Sequence, residues 1–335
     1  MNTEELEFAI KRIEHMEKMF DEVQTAFKSD KNFFKNEGFE RKISLLTQYM
    51  ESGQWLRDYS LDEKGELPKD LKRGVLSEDG LYNLLSDIDS AKNKKSGMLK
   101  KLFEKDEILF AVAWIVVYVI GFSTADSISE SIGIPKLLTA ILGFILSAVA
   151  FVFAKKNGLL EHFGLCKTKI PAKNLLFYIP LILISSVNIW NGFSFDILPL
   201  TAVLSVLSMC FVGFLEEIIF RGMLFTGMSK NGLKSAIIVS SLAFGIGHIV
   251  NLLTGAPVFD TILQLIYASA VGFCYTAIFY VGKSILPCII SHAAVNSMSI
   301  FAAEHSETTM IILAAVQTVI SVGYGIWLLK KNKNI

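Results

Sequence analysis

Three short polar clusters interrupt long apolar stretches of this 335-residue chain, and each holds residue types that hydrolysis uses. They are Glu216-Glu217-Ile218-Ile219-Phe220-Arg221-Gly222, Phe244-Gly245-Ile246-Gly247-His248 and Ser291-His292-Ala293-Ala294-Val295-Asn296. A charge at the centre of a membrane helix costs at least ~2.5–3.5 kcal/mol and usually faces a polar interior. Glu217 and Arg221 are four apart, so they share a helical face and can pair. Glu216 is turned about 100° away and is left without that partner. Phe244 and His248 share a face, and the two glycines between them allow close helix contact. His292 and Asn296, again four apart, project together as donors. Taken singly, these are a structural ion pair, a hydrogen-bonded core histidine and interhelical glue. Taken together, a carboxylate, two imidazoles and an amide can accept a proton, orient a water and stabilise an oxyanion.

The elements that must position them are membrane helices. The chain is 52% apolar and 19% charged, with mean hydropathy +0.47. Residues 1–107 carry 19 Lys/Arg and 23 Asp/Glu, most of the 32 basic and 32 acidic residues present. That asymmetry excludes one soluble domain, and the balanced net charge gives a nucleic-acid partner no support. Cys166, Cys210, Cys274 and Cys288 are dispersed, which excludes a disulfide scaffold. Eight apolar stretches are each long enough to cross ~30 Å of hydrocarbon as a helix. They lie at roughly 108–125, 135–154, 174–191, 199–220, 235–253, 261–281, 284–303 and 309–329. The seventh is the weakest, because it contains Ser291, His292, Asn296 and Ser297.

The expected fold is therefore all-α: a polytopic membrane protein of about eight transmembrane helices, preceded by a small soluble helical domain. Expected boundaries are 1–92 for a cytosolic helical domain, 93–107 for a basic juxtamembrane linker and 108–330 for the membrane domain. An even span count puts both termini on one side, and the positive-inside rule makes that side cytoplasmic. Lys155, Lys156, Lys167, Lys169, Lys173, Lys230, Lys234, Lys283, Lys330, Lys331 and Lys333 then lie inside. The outer loops hold Lys136 and otherwise acids such as Asp126, Glu130, Asp196 and Asp260. Met1 to Lys18 is charged throughout and lacks a signal-peptide core, so the first span is expected to act as a retained insertion signal.

In the soluble part, Leu6, Ala9, Ile13, Met16, Phe20, Val23 and Phe27 form one apolar helical stripe that packs on itself or on an unidentified protein partner. Further helices are expected over 43–59 and from Ser77, as N-cap, to Ser90. Lys92, Lys94, Lys95, Lys100 and Lys101 could meet anionic headgroups or simply set topology. His15, His162 and His305 read as solvated side chains.

The ordered set Glu216-Glu217…Arg221, Phe244…His248 and His292…Asn296 resembles the intramembrane protease family related to the CAAX-processing enzyme and to bacteriocin-immunity proteins. The likeness covers about residues 108–330. It implies peptide-bond hydrolysis near the cytoplasmic face of a cell membrane, on a peptide or lipid-modified peptide. Carried over, Glu216 and His248 activate water, His292 and Asn296 hold the oxyanion, and Arg221 supports the glutamate pair with Glu217. Glu216, His248 and His292 could also form a His2Glu zinc site with one open position. No His-Glu-x-x-His motif is present, so a metal-free glutamate mechanism and a metalloprotease both stay open. The first 90 residues, through Leu71-Lys72-Arg73-Gly74-Val75-Leu76-Ser77-Glu78-Asp79-Gly80, resemble a small bacterial helical domain of unknown function, which suggests a bacterial protein.

Two rival readings remain. One is a catalytically silent scaffold or bacteriocin-immunity protein that binds a peptide or membrane partner. The other is a proton-linked transporter, disfavoured because no inverted repeat is evident. Geometry also sets a condition. Glu216 lies ~8 Å below the inner end of span 4, whereas His248 lies ~21 Å beyond Lys234. For the two to meet, span 5 must tilt or start within the membrane, or residues 222–234 must dip into it.

Overall fold

The computed structural model describes residues 3–332 except 31, 32, 34, 35, 78, 96, 172, 173, 175, 176 and 305, and not the side chains of 92–95 and 254. Expectations placed on Glu78, Lys173, His305 and Lys333, and on the Lys92, Lys94 and Lys95 side chains, lie outside the described residues. The chain forms two compact units, Met1–Lys101 and Leu102–Ile335.

The first unit is a small helical bundle. Helix α1 (Thr3–Ser29) buries Ala9, Ile13, Phe20, Val23 and Phe27 from the apolar stripe. The single helix expected over 43–59 is two, α2 (Glu37–Glu51) and α3 (Gln54–Glu63). They part at Gly53, whose φ of 72° is left-handed and free of strain only for glycine. Helix α4 (Gly80–Lys95) begins later than Ser77, which precedes it as a turn accepting the Gly80 N–H at 3.1 Å. Among the described residues of this unit Glu17 and Asp58 are buried carboxylates, each with partners. Asp58 accepts from Arg12 Nε at 2.9 Å and Tyr49 Oη at 2.7 Å, and Glu17 accepts the Val75 N–H at 2.6 Å. Burial, and then the hydrogen bond to Asp58, push the Tyr49 phenol well above its usual range.

Helix α5 (Met98–Lys105) straddles the two units. The second unit is built from α6 (Glu107–Ser131), α7 (Leu137–Lys156), α8 (Ile179–Ser186), α9 (Pro199–Glu217), α10 (Thr226–Ser229), α11 (Leu233–Gly247), α12 (Val258–Gly282), α13 (Leu286–Ser299) and α14 (Glu307–Lys331). Asp106 caps α6, accepting the Ile108 and Leu109 N–H groups at 2.8 and 2.9 Å. Among the described residues the chain is all-α, apart from one isolated antiparallel bridge between Phe193 and Ala302.

All eight apolar stretches contain helix, and among the described residues six helices are long and apolar enough to cross a membrane. This makes the second unit multi-pass, with outward residues such as Val116, Ile120, Phe144 and Ile145 exposed as lipid requires. The other two stretches are short. Helix α8 has 8 residues and runs on as a 3-10 turn, Val187–Ile189; α13 has 14. The loop after α7 explains α13. It folds into the unit and meets the chain just before α13, with the Ile285 N–H on Gly164 O at 2.9 Å and Ser284 Oγ on Cys166 O at 2.6 Å. The polar groups of the short pair satisfy each other: Ser185 Oγ lies 2.9 Å from Ser291 Oγ, and Asn188 Nδ2 donates to Val295 O at 2.8 Å. His162, in the same loop, is not a solvated side chain. It is half-buried, 3.3 Å from Glu107 Oε2 and edge-on to Phe103.

The depth condition is met by the length of span 4. Span 4 does not end near residue 220; it runs unbroken from Pro199 to Ser229. Glu216 therefore lies about thirteen residues before the Ser229 end, ~20 Å along the helix, which matches the ~21 Å depth of His248.

Candidate active site

The first cluster sits where helix geometry changes. Helix α9 ends at Glu217, and Ile218–Phe225 continue as a π-helix before α10. A π-helical turn widens the backbone spiral and frees carbonyls, and it recurs at functional sites. One such carbonyl, Phe220 O, is met from the neighbouring helix by Ser240 Oγ at 2.7 Å. All eight π-helical residues are buried.

Within this frame Arg221 Nη1 donates to Glu217 Oε1 at 2.9 Å, with both side chains 0% exposed. The guanidinium also lies 4.2 Å from the Phe244 ring centre, so one face of the cation rests on an aromatic. Glu217 Oε1 is shared: His292 Nδ1 lies 2.9 Å from it. The other ring nitrogen, His292 Nε2, lies 3.5 Å from Glu216 Oε2, a contact of ion-pair range rather than a formed hydrogen bond. Glu217 thus sits between Arg221 and His292, and His292 between the two glutamates, in one buried cluster.

Glu216 is not partnerless. Tyr118, from the middle of α6, donates its hydroxyl to Glu216 Oε1 at 2.5 Å. Glu216 Oε2 is buried and makes no hydrogen bond among the described residues. Glu216 and His248 line one cavity of about 190 Å³, together with Tyr118, Phe220 and Phe244. His248 begins the 3-10 segment His248–Thr254 that follows α11. Phe244 stands edge-on to both histidines, 5.6 Å from His248 and 5.5 Å from His292 between ring centres.

Two close helix approaches hold these parts in place. A Cβ on Gly213 would lie 2.7 Å from the Ala293 nitrogen, so glycine lets α9 press on α13 beside His292. A Cβ on Gly245 would lie 2.8 Å from Leu265 O and closer still to Ser269 Oγ, so α11 meets α12 backbone to backbone. Gly247 has no such contact. Of the two glycines beside His248, one makes the approach.

The structure thus brings Glu216, Glu217, Arg221, His248 and His292 into one neighbourhood. Asn296 is half-buried one turn beyond His292 and does not line the cavity that holds Glu216 and His248. Sequence reasoning missed Tyr118. Its signal was an aromatic at every fourth position, Phe110, Trp114, Tyr118 and Phe122, which reads as ordinary apolar span unless that stripe is singled out. It also treated Asp126 and Lys136 as loop charges. Both line the cavity, and Lys136 Nζ holds Asp126 at 2.6 Å. As a metal site the set does not fit as it stands: among the described residues no three His, Cys, Asp or Glu side chains are grouped to hold an ion.

Residues 198–298 match the family model described as Type II CAAX prenyl endopeptidase Rce1-like, and residues 13–94 match a domain of unknown function, DUF4298. The Rce1-like segment runs from the start of α9 to the end of α13 and contains all three polar clusters. No curated protein and no solved structure matches the chain.

Proposed function

We propose that the membrane unit is an intramembrane endopeptidase that hydrolyses a peptide bond with a water activated by Glu216 and His248. The observation that carries this reading is the division of labour at Glu216. One oxygen is held by Tyr118, the other makes no hydrogen bond among the described residues and lies 3.5 Å from His292 Nε2, and the residue lines a cavity together with His248. An oxygen so placed can accept a proton from water as the water attacks a carbonyl. His292, oriented through Nδ1 by Glu217, stands beside Glu216 to stabilise the tetrahedral anion. Asn296, on the same face of α13, is the second donor to that anion once substrate is seated. Arg221 and Tyr118 are positioning residues, the former acting through Glu217 and the latter through Glu216.

The match to an Rce1-like family supports this class of reaction. The even span order and the lysine distribution support a cytoplasmic N- and C-terminus. The ~20 Å depth of Glu216 supports chemistry well inside the membrane unit, not at the Ser229 end.

Purified wild type, Glu216→Gln and His248→Ala, assayed on a membrane-tethered peptide reporter with and without a strong chelator, test the reading. Loss of about 10²–10⁴-fold in kcat is expected for either substitution, with activity retained in chelator. Cleavage unaffected by both substitutions would end the protease reading. Loss on chelation alone would replace the metal-free version, and a protein inert on every reporter would point to a silent binding scaffold.

A further inference from the structure

We infer that substrate reaches Glu216 from the face of the membrane unit that carries the α6–α7 turn, opposite to the face that carries the lysines of the α7–α8 loop. The inference rests on the endopeptidase reading for the word substrate, but the access route stands on geometry alone.

Helix α6 displays both sides of the case along one stripe. From Tyr118 toward Glu107 its inward residues are Trp114 and Phe110, 5% and 0% exposed. Phe110 stacks on Phe153 at 5.1 Å, and Phe103 closes over Phe110 and Phe163 at 5.4 and 5.7 Å. Phe163 is fully buried against Gly222, one part of the loop that folds in to start α13. Below the site, then, the unit is a packed aromatic seal, and such interiors admit neither water nor peptide.

From Tyr118 toward Ser131 the same helix turns polar. Ser123 and Asp126 line the cavity, joined by Lys136 and Thr139 from the start of α7 and by Asn251 from the 3-10 segment after His248. Asp126 is held by Lys136 and by Thr139 Oγ1 at 2.9 Å, so the cavity's far end is a fixed, half-exposed ion pair. Lys136 adopts a left-handed φ of 65° there, a conformation a lysine rarely takes and one that concentrates at functional positions. The cavity therefore runs from Glu216 and His248 to a charged end at the α6–α7 turn.

Its size bears on the substrate class. About 190 Å³ is below the ~300–1,000 Å³ of sites that enclose a drug-sized molecule. It takes a short extended peptide stretch around the scissile bond, with the backbone polar groups toward Ser123 and Asn251. Any lipid chain on the substrate stays outside, along the exposed helix faces. By the positive-inside reading this entrance is extracytoplasmic, so the route carries a peptide presented at the outer face, in place of the cytoplasmic-face cleavage that the family resemblance implies.

Two measurements on the full chain in native membranes test this. In the first, Ser123→Cys is labelled with a membrane-impermeant maleimide from either side. Ser131→Cys marks the α6–α7 face, Lys156→Cys the opposite face, and wild type gives the background of native thiols. Ser123→Cys is expected to react from the same side as Ser131→Cys; reaction only from the Lys156→Cys side, or none, overturns the route. In the second, unmodified protein meets two tethered reporters that expose the same peptide on one face or the other. Cleavage of the α6–α7-face reporter at least tenfold faster supports the route, and the reverse preference overturns it while leaving the protease reading intact. If neither reporter is cut and Ser123→Cys still labels with Ser131→Cys, the route stands and the protease reading falls.

Discussion

At the residue scale the two oxygens of Glu216 differ, one bonded to Tyr118 and the other buried without a hydrogen bond, 3.5 Å from His292 Nε2. Replacing Tyr118 by Phe removes one buried hydrogen bond, an effect of about 1.5 kcal/mol, or roughly tenfold. On the proposed reading Tyr118 orients the base, so the loss is expected in kcat with KM nearly unchanged. A variant that lost activity only by misfolding would lower the amount of active enzyme, which active-site titration separates from a lower kcat. Arg221→Lys is expected to fail as a replacement, since a point charge cannot both reach Glu217 and lie flat on Phe244. The Glu216–Arg221 segment and His292 were legible in the sequence because intramembrane ionisable residues are costly and therefore conspicuous. The tyrosine was not, because an aromatic inside an apolar span carries no such cost.

At the element scale the site depends on helices that come closer than side chains normally allow. Gly245→Leu is expected to destabilise the α11–α12 contact by several kcal/mol, beyond the roughly 1–3 kcal/mol of ordinary overpacking, because backbone of α12 blocks the new side chain. Thermal unfolding in detergent checks this. The π-helical stretch and the shortness of α13 could not be read from sequence. Apolar content fixes that a segment is helical in lipid, but not its pitch, nor whether it crosses fully when another loop folds in beneath it. In the first unit the sequence showed the stripe on α1 but not the break at Gly53, where a turn conformation overrides an otherwise continuous helical pattern. There, Asp58→Ala is expected to cost about 2 kcal/mol. This is less than the roughly 3–5 kcal/mol of a fully buried pair, because the Arg12 side chain is 32% exposed. Tyr49 adds a pH dependence with a definite sign. Its phenol is held protonated in the folded state, so its contribution is complete below about pH 10 and lost as pH rises further. Tyr49→Phe is expected to remove that part of the alkaline decline in the unfolding midpoint.

At the scale of the whole molecule, a polar helical unit carrying DUF4298 precedes a membrane unit whose 198–298 segment is Rce1-like. The membrane unit is sealed by aromatics at one end of the site and polar at the other. On the proposed reading, that polarity admits water and peptide while keeping lipid out. The most direct test is hydrolysis by wild-type protein in proteoliposomes prepared in heavy-oxygen water, with both fragment masses read beside Glu216→Gln. The account predicts one heavy oxygen in the newly formed carboxylate and no product above background from Glu216→Gln. Equal product from Glu216→Gln would contradict it.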